Sequence, residues 1–170
     1  MIVRCLAVLA LAATLGGCSM MARKPPPAAA PVHYTGTPQE QWVQGNKAYL
    51  VWSAARPGWK TTPSGLQYHR LKAARGPQPA PGATVTIHYV GRFIDGRTFD
   101  SSRERGEPAT FPLPRLIKGW QEGVPMMRKG ETWEFVIPAE LAYGDRNRDP
   151  IPNGSTLLFE IELVDIPPEG

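Results

Sequence analysis

Val85 to Ser102 reads VTIHYVGRFIDGRTFDSS. Val85, Ile87 and Tyr89 alternate with Thr86 and His88, the period of a strand with one buried face. Asp95-Gly96 is a tight-turn signal between this run and the next. The same period recurs downstream. Trp133, Phe135 and Ile137 alternate with Thr132, Glu134 and Val136; Leu157, Phe159, Ile161 and Leu163 alternate with Glu160 and Glu162. Upstream, Leu66 to Leu71 reads as a first strand. One stretch breaks the pattern: Ile117, Trp120 and Val124 fall at helical spacing, and Pro125 limits that helix. These runs predict an α+β fold, an antiparallel sheet wrapped as a half-barrel around one short helix. No internal repeat is present.

Further out, Thr37-Pro38-Gln39-Glu40 is a helix start. Thr37 suits the cap, Pro38 the first helical position and Glu40 the reciprocal capping position. The predicted helix carries Trp42, Val43, Tyr49, Leu50 and Trp52 and stops before Pro57-Gly58. Gly45 weakens it by ~1 kcal/mol relative to Ala. This helix would pack on the domain or on a second copy as a homodimer. Residues 37–60 are therefore set apart as a short N-terminal helical segment, and 61–170 as the main domain.

Residues 18–36 are rich in Pro and Ala, with Pro25-Pro26-Pro27 at the centre. They bury too little to fold and read as an extended spacer. Residues 1–17 have the charged, apolar, small-residue order of a secretory signal, with an apolar run too short for a membrane-spanning helix. Leu15-Gly16-Gly17-Cys18 resembles the bacterial lipobox, in which the cysteine thiol takes up diacylglycerol. The chain has two cysteines. Cleavage before Cys18 removes Cys5 and leaves one thiol, which lipidation explains and an intramolecular disulfide cannot. The expectation is a chain tethered through Cys18 in the bacterial cell envelope. Ser19 in place of Asp points to the outer membrane, facing the periplasm or the surface. Several acyl chains make a stable anchor.

The 170 residues carry 19 Lys+Arg against 15 Asp+Glu, a net charge of +4 with no run of five or six like charges, which argues against a nucleic-acid partner. His33, His69 and His88 lack ligand spacing, so no metal site and no cofactor is expected.

Four blocks stand in register: VTIHYVGRFIDGRTFDSS, then LIKGWQEGV at Leu116 to Val124, LAYG at Leu141 to Gly144, and IPNGSTLLF at Ile151 to Phe159. Together they closely resemble the FKBP-type peptidyl-prolyl cis-trans isomerases, over about Thr61 to Ile166. The lead-in TTPSGLQYHRL is similar to the exported macrophage-infectivity-potentiator branch. The resemblance implies a catalytic set of Tyr89, Phe99, Asp100, Ile117, Trp120, Tyr143 and Phe159, with Arg105, Phe111, Leu116 and Ile151 binding substrate. It places Trp120 at the floor of a pocket and Tyr89, Phe99 and Phe159 in the walls. It assigns hydrogen bonds to substrate carbonyls to the Ile117 N–H and the Tyr143 hydroxyl. It implies proline-containing, unfolded or partly folded exported chains as partners, and macrolides such as rapamycin as inhibitors.

Taken singly, Phe99, Phe159, Ile117 and Trp120 also fit ordinary core. Asp100 with Arg105 also fits a surface ion pair. A non-catalytic chaperone or binding lipoprotein would use the same cleft. The chain departs from the family at Ala109, where many members have an aromatic, and in the charged segment 145–149, where a histidine is missing. It also lacks the long dimerising helix of some exported relatives.

Overall fold

The structure is a computed structural model and describes residues 34–168. The signal at 1–17, Cys18 and most of the spacer at 18–36 lie outside the described residues. A helix, α1, spans Pro38–Ala54. Seven strands follow: β1 Lys60–Thr61, β2 Gln67–Lys72, β3 Thr84–Arg92, β4 Thr98–Ser101, β5 Ala109–Pro112, β6 Thr132–Ile137 and β7 Leu157–Asp165. A second helix, α2, spans Lys118–Gly123 between β5 and β6. Every strand pairing is antiparallel, in the order β1-β2-β6-β7-β3-β4. β5 shares an edge of β3 with β4: β5 pairs with Thr84–Ile87 and β4 with Val90–Arg92. The strand expected at 66–71 lies one residue later, with Leu66 fully buried just ahead of it.

Register explains the core. Tyr89 and Trp133 both oppose Ile161, Phe135 opposes Phe159, and Ile87 opposes Leu163. Side chains two apart share a face, so these rows meet on one concave side. Each of these residues is at most 6 % exposed. α2 closes that side and lies almost on the sheet. A Cβ on Gly119 would stand 2.5 Å from Ile137, and one on Gly123 2.6 Å from Phe135. Only glycine allows this approach.

The convex side is covered too, by α1. Its capping box is complete: Thr37 Oγ1 accepts from the Glu40 N–H at 3.3 Å, and the Glu40 carboxylate accepts from the Thr37 N–H at 2.7 Å. Asn46 is buried, accepting from the Thr156 N–H at 2.7 Å and donating to the Trp42 carbonyl at 2.8 Å. The Trp42 indole N–H donates to Ser155 Oγ at 3.1 Å, and its ring meets Phe93 edge-on at 5.8 Å. Further along, Ser53 Oγ and the Leu50 carbonyl hold the Gln67 side chain at 2.6 and 2.9 Å. The helix therefore packs on its own domain. This changes the reading of β6: Val136, expected on a half-buried strand's outer face, is 1 % exposed, in register with Gln67 beneath α1.

Candidate active site

Between the concave face and α2 lies an open cavity of about 570 Å³. Tyr89, Phe99, Asp100, Phe111, Leu116, Ile117, Trp120, Tyr143 and Phe159 line it. They come from β3, β4, β5, the entry to α2, the Leu141–Gly144 segment and β7. The fold thus gathers side chains that are 70 residues apart in sequence.

Trp120 is the floor, 5 % exposed on α2. Three rings stand edge-on to its indole. Tyr89 is 5.2 Å away at 77°, Phe111 6.4 Å at 72° and Phe159 5.0 Å at 85°. Phe99 extends the wall, perpendicular to Phe159 at 5.6 Å. Edge-to-face contacts satisfy the quadrupoles of the rings, and they leave flat aromatic surface facing the space they enclose. The indole N–H is buried without a hydrogen-bond partner among the described residues.

Two positions outside the expected set shape these walls. Gly91 lies on the concave row of β3, between Tyr89 and Phe93. A Cβ there would come within 2.7 Å of Phe99 and 2.8 Å of Phe159, so the two rings occupy the place of its missing side chain. Ser102 is fully buried. Its Oγ accepts from the Tyr89 N–H at 2.8 Å, and its own N–H donates to the Tyr89 carbonyl at 3.0 Å. This clamp fixes the Tyr89 backbone. Both lie in the first block; the signals were a glycine within an apolar row and a serine where a strand ends.

Polar groups gather at one lip. The Tyr89 hydroxyl donates to Asp100 Oδ2 at 2.6 Å, Arg105 Nη1 donates to Asp100 Oδ1 at 2.5 Å, and Arg105 Nη2 donates to the Tyr89 oxygen at 2.8 Å. Arg105 stands outside the cavity wall and acts on it through this triangle. Burial pushes the Asp100 pKa up, but hydrogen bonds from Tyr89 and Arg105, with the guanidinium charge, outweigh it and hold the carboxyl below its ordinary value. Burial, followed by the bond to Asp100, raises the Tyr89 phenol. The hydrogen bond to Asp100, followed by that to Tyr89, raises Arg105. At neutral pH the lip is a carboxylate, a phenol and a guanidinium.

Ile117 caps α2 in extended conformation, and among the described residues no partner takes its backbone N–H. The Arg148 guanidinium lies 5.1 Å over the Tyr143 ring. Ile151 is not in the wall. It is 6 % exposed within the core, turned inward where it bridges back to Arg148. Ala109 packs on the core from β5, also outside the wall. Sequence reading missed Arg115, Lys118, Gln121, Ala142 and Arg148, which complete the lining. Exposed polar residues carry no periodic signal; the hint for Lys118 and Arg115 was adjacency to Leu116-Ile117.

Residues 76–164, just over half the chain, match the family described as FKBP-type peptidyl-prolyl cis-trans isomerase. The chain is 42 % identical over 126 residues to "Peptidyl-prolyl cis-trans isomerase Mip" of Coxiella burnetii, covering 73 % of this chain and 54 % of that protein. It is 46 % identical over 118 residues to the FKBP-type isomerase FkpA of Aeromonas hydrophila, covering 69 % and 44 %. It thus spans about half the length of the curated relatives it matches. Among solved structures, FkpA from Escherichia coli superposes with a TM-score of 0.71 at 41 % identity, covering 76 % of this chain and 63 % of that one. A peptidyl-prolyl cis-trans isomerase from Pseudomonas syringae gives 0.70 at 34 % identity, covering 78 % and 98 %. An indole floor ringed by upright aromatics, carried on this sheet and matched over these lengths, makes the chain a member of the FKBP-type peptidyl-prolyl cis-trans isomerase family.

Proposed function

We propose that the chain catalyses cis-trans isomerisation of X–Pro bonds in exported proteins, with Tyr89, Phe99, Asp100, Ile117, Trp120, Tyr143 and Phe159 as its catalytic residues. The observation that carries the reading is the set of three rings standing over Trp120. A pyrrolidine ring lies flat on the indole, and the upright rings hold its edges.

The reaction breaks no bond. The barrier is amide resonance, ~18–20 kcal/mol, and uncatalysed turnover takes tens to hundreds of seconds. The planar amide is dipolar because nitrogen donates into the carbonyl, and twisting removes that donation. A dry aromatic cavity therefore disfavours the planar form more than the twisted one. The Ile117 N–H and the Tyr143 hydroxyl hold flanking carbonyls in the twisted geometry, which is differential binding. An acceleration of ~10⁵ requires about 7 kcal/mol. Arg105, Phe111 and Leu116 position the chain, and Ile151 supports the wall from behind. The apolar walls favour a bulky apolar residue before the proline. Rapamycin competes for the same surfaces.

The envelope location is supported by a relative from Legionella longbeachae named "Outer membrane protein MIP", 43 % identical over 129 residues. Lipidation at Cys18 is supported by the residues that precede it.

The test is a proline-peptide isomerisation assay on the soluble chain, with and without rapamycin. Turnover well above the spontaneous rate is expected, with at least a tenfold loss, about 1.4 kcal/mol of barrier, in Phe99→Ala and in Asp100→Leu. Folded protein that leaves the spontaneous rate unchanged would defeat the proposal. Suppressed aggregation without turnover would instead identify a chaperone.

A further inference from the structure

The cavity wall carries three cations that the isomerisation chemistry leaves without a task. Arg115, Lys118 and Arg148 line it, and Asp100 is the single carboxylate among the lining residues. Asp100 is already matched by Arg105 at 2.5 Å. Among the described residues, no ion pair engages Arg115, Lys118 or Arg148. The three come from two sides. Arg115 and Lys118 flank the Leu116-Ile117 segment, and Arg148 stands on the loop before β7. Stacking on Tyr143 positions Arg148 while leaving its hydrogen-bonding edges free. The other acids of this region, Glu122, which accepts from Ser64 at 2.7 Å, and Asp145 and Asp149, lie outside the lining.

We propose that these three cations make the cavity select proline segments that carry an Asp or Glu within a few residues of the proline. The inference rests on the isomerase reading for the seat of the proline itself. The two preferences are compatible. The ring-lined depth takes the proline and its apolar neighbour, and the basic mouth takes a carboxylate further along the chain. Fixed positive charge beside a low-dielectric wall steers and holds anions, and salt weakens it. Exposed, water-screened ion pairs contribute little each, so the combined effect is about fivefold in affinity and kcat/KM at low salt.

The experiment uses three proline peptides that differ only in a flanking Glu, Gln or Lys. Isomerisation kcat/KM and binding affinity, the latter by tryptophan fluorescence, are both measured. The Glu peptide is expected to exceed the Gln peptide about fivefold at low salt, with the Lys peptide below both, and the gap should close at an ionic strength near 0.5 M. In the triple variant Arg115→Gln, Lys118→Gln, Arg148→Gln, the Glu-to-Gln ratio is expected to fall to about 1. Equal kcat/KM and equal affinity for Glu and Gln peptides at low salt would overturn this inference and leave the isomerase reading standing. A Glu preference in affinity with no turnover of any peptide would do the reverse. A preference that persists in the triple variant would refute the assignment to these residues.

Discussion

Asp100 stays charged at the lip of an apolar cavity because Tyr89 and Arg105 donate to both its oxygens. Its folded pKa is lowered, so its ionised form binds fewer protons than the unfolded chain does at the same acidic pH. The stabilisation is complete above the unfolded value, near 4, and is lost as pH falls through the lower folded value. Thermal melts between pH 6 and 2 check this: Asp100→Asn should show a shallower decline across the acid window than the parent chain. Curves of identical slope would remove Asp100 from the acid response. At this scale the sequence was legible wherever a residue sat in a local pattern. Tyr89 and Phe159 fall on period-two runs, so parity put each on the buried face of its strand; Phe99 came from the resemblance of the blocks. Gly91 and Ser102 showed only as a glycine within an apolar row and a serine where a strand ends, because what they do depends on atoms from other strands: the two rings that press on one, and the Tyr89 backbone that the other clamps.

Among the elements, α1 shows both what spacing reveals and where it stops. Its beginning was readable to the residue, since Thr37, Pro38 and Glu40 act within one turn. Its partner was not, because the side chains that seat it, Trp42, Asn46 and Ser53, meet groups more than ten residues away, at Ser155, Thr156 and Gln67. The same helix offers a paired test. A Cβ on Gly45 would meet Tyr34 at 3.5 Å and Ile94 at 3.8 Å, ordinary contact distances. Gly45→Ala should therefore stabilise the chain by about 0.5–1 kcal/mol through helix propensity. Asn46→Ala, one position on, leaves the buried Thr156 N–H unpaired and should cost about 1–3 kcal/mol. Urea midpoints that move in the same direction for both would contradict this packing.

For the whole molecule, α1 and α2 lie on opposite sides of one sheet, α1 on the convex face and α2 beneath the cavity. A chain that starts at Pro57 loses the cover over Val136 and Gln67 but keeps every residue of the cavity lining. Losing the burial of two or three large side chains should cost on the order of 3–6 kcal/mol, a large share of a domain's usual stability. Its urea midpoint should fall while peptide turnover survives in the cold. Turnover abolished in a shortened chain that remains folded would mean that the helix shapes the cavity after all. The overall architecture was readable because antiparallel strands with one wet face alternate visibly. The cationic mouth was not, because surface charges have no period.

Gly119 and Gly123 let α2 settle against Ile137 and Phe135, and Trp120 rides on that helix. The depth of the recess is therefore adjustable from underneath. A methyl group at either glycine would push the helix off the sheet and shift the indole against the three rings, so selection could reshape the recess without altering any side chain that a visiting proline touches.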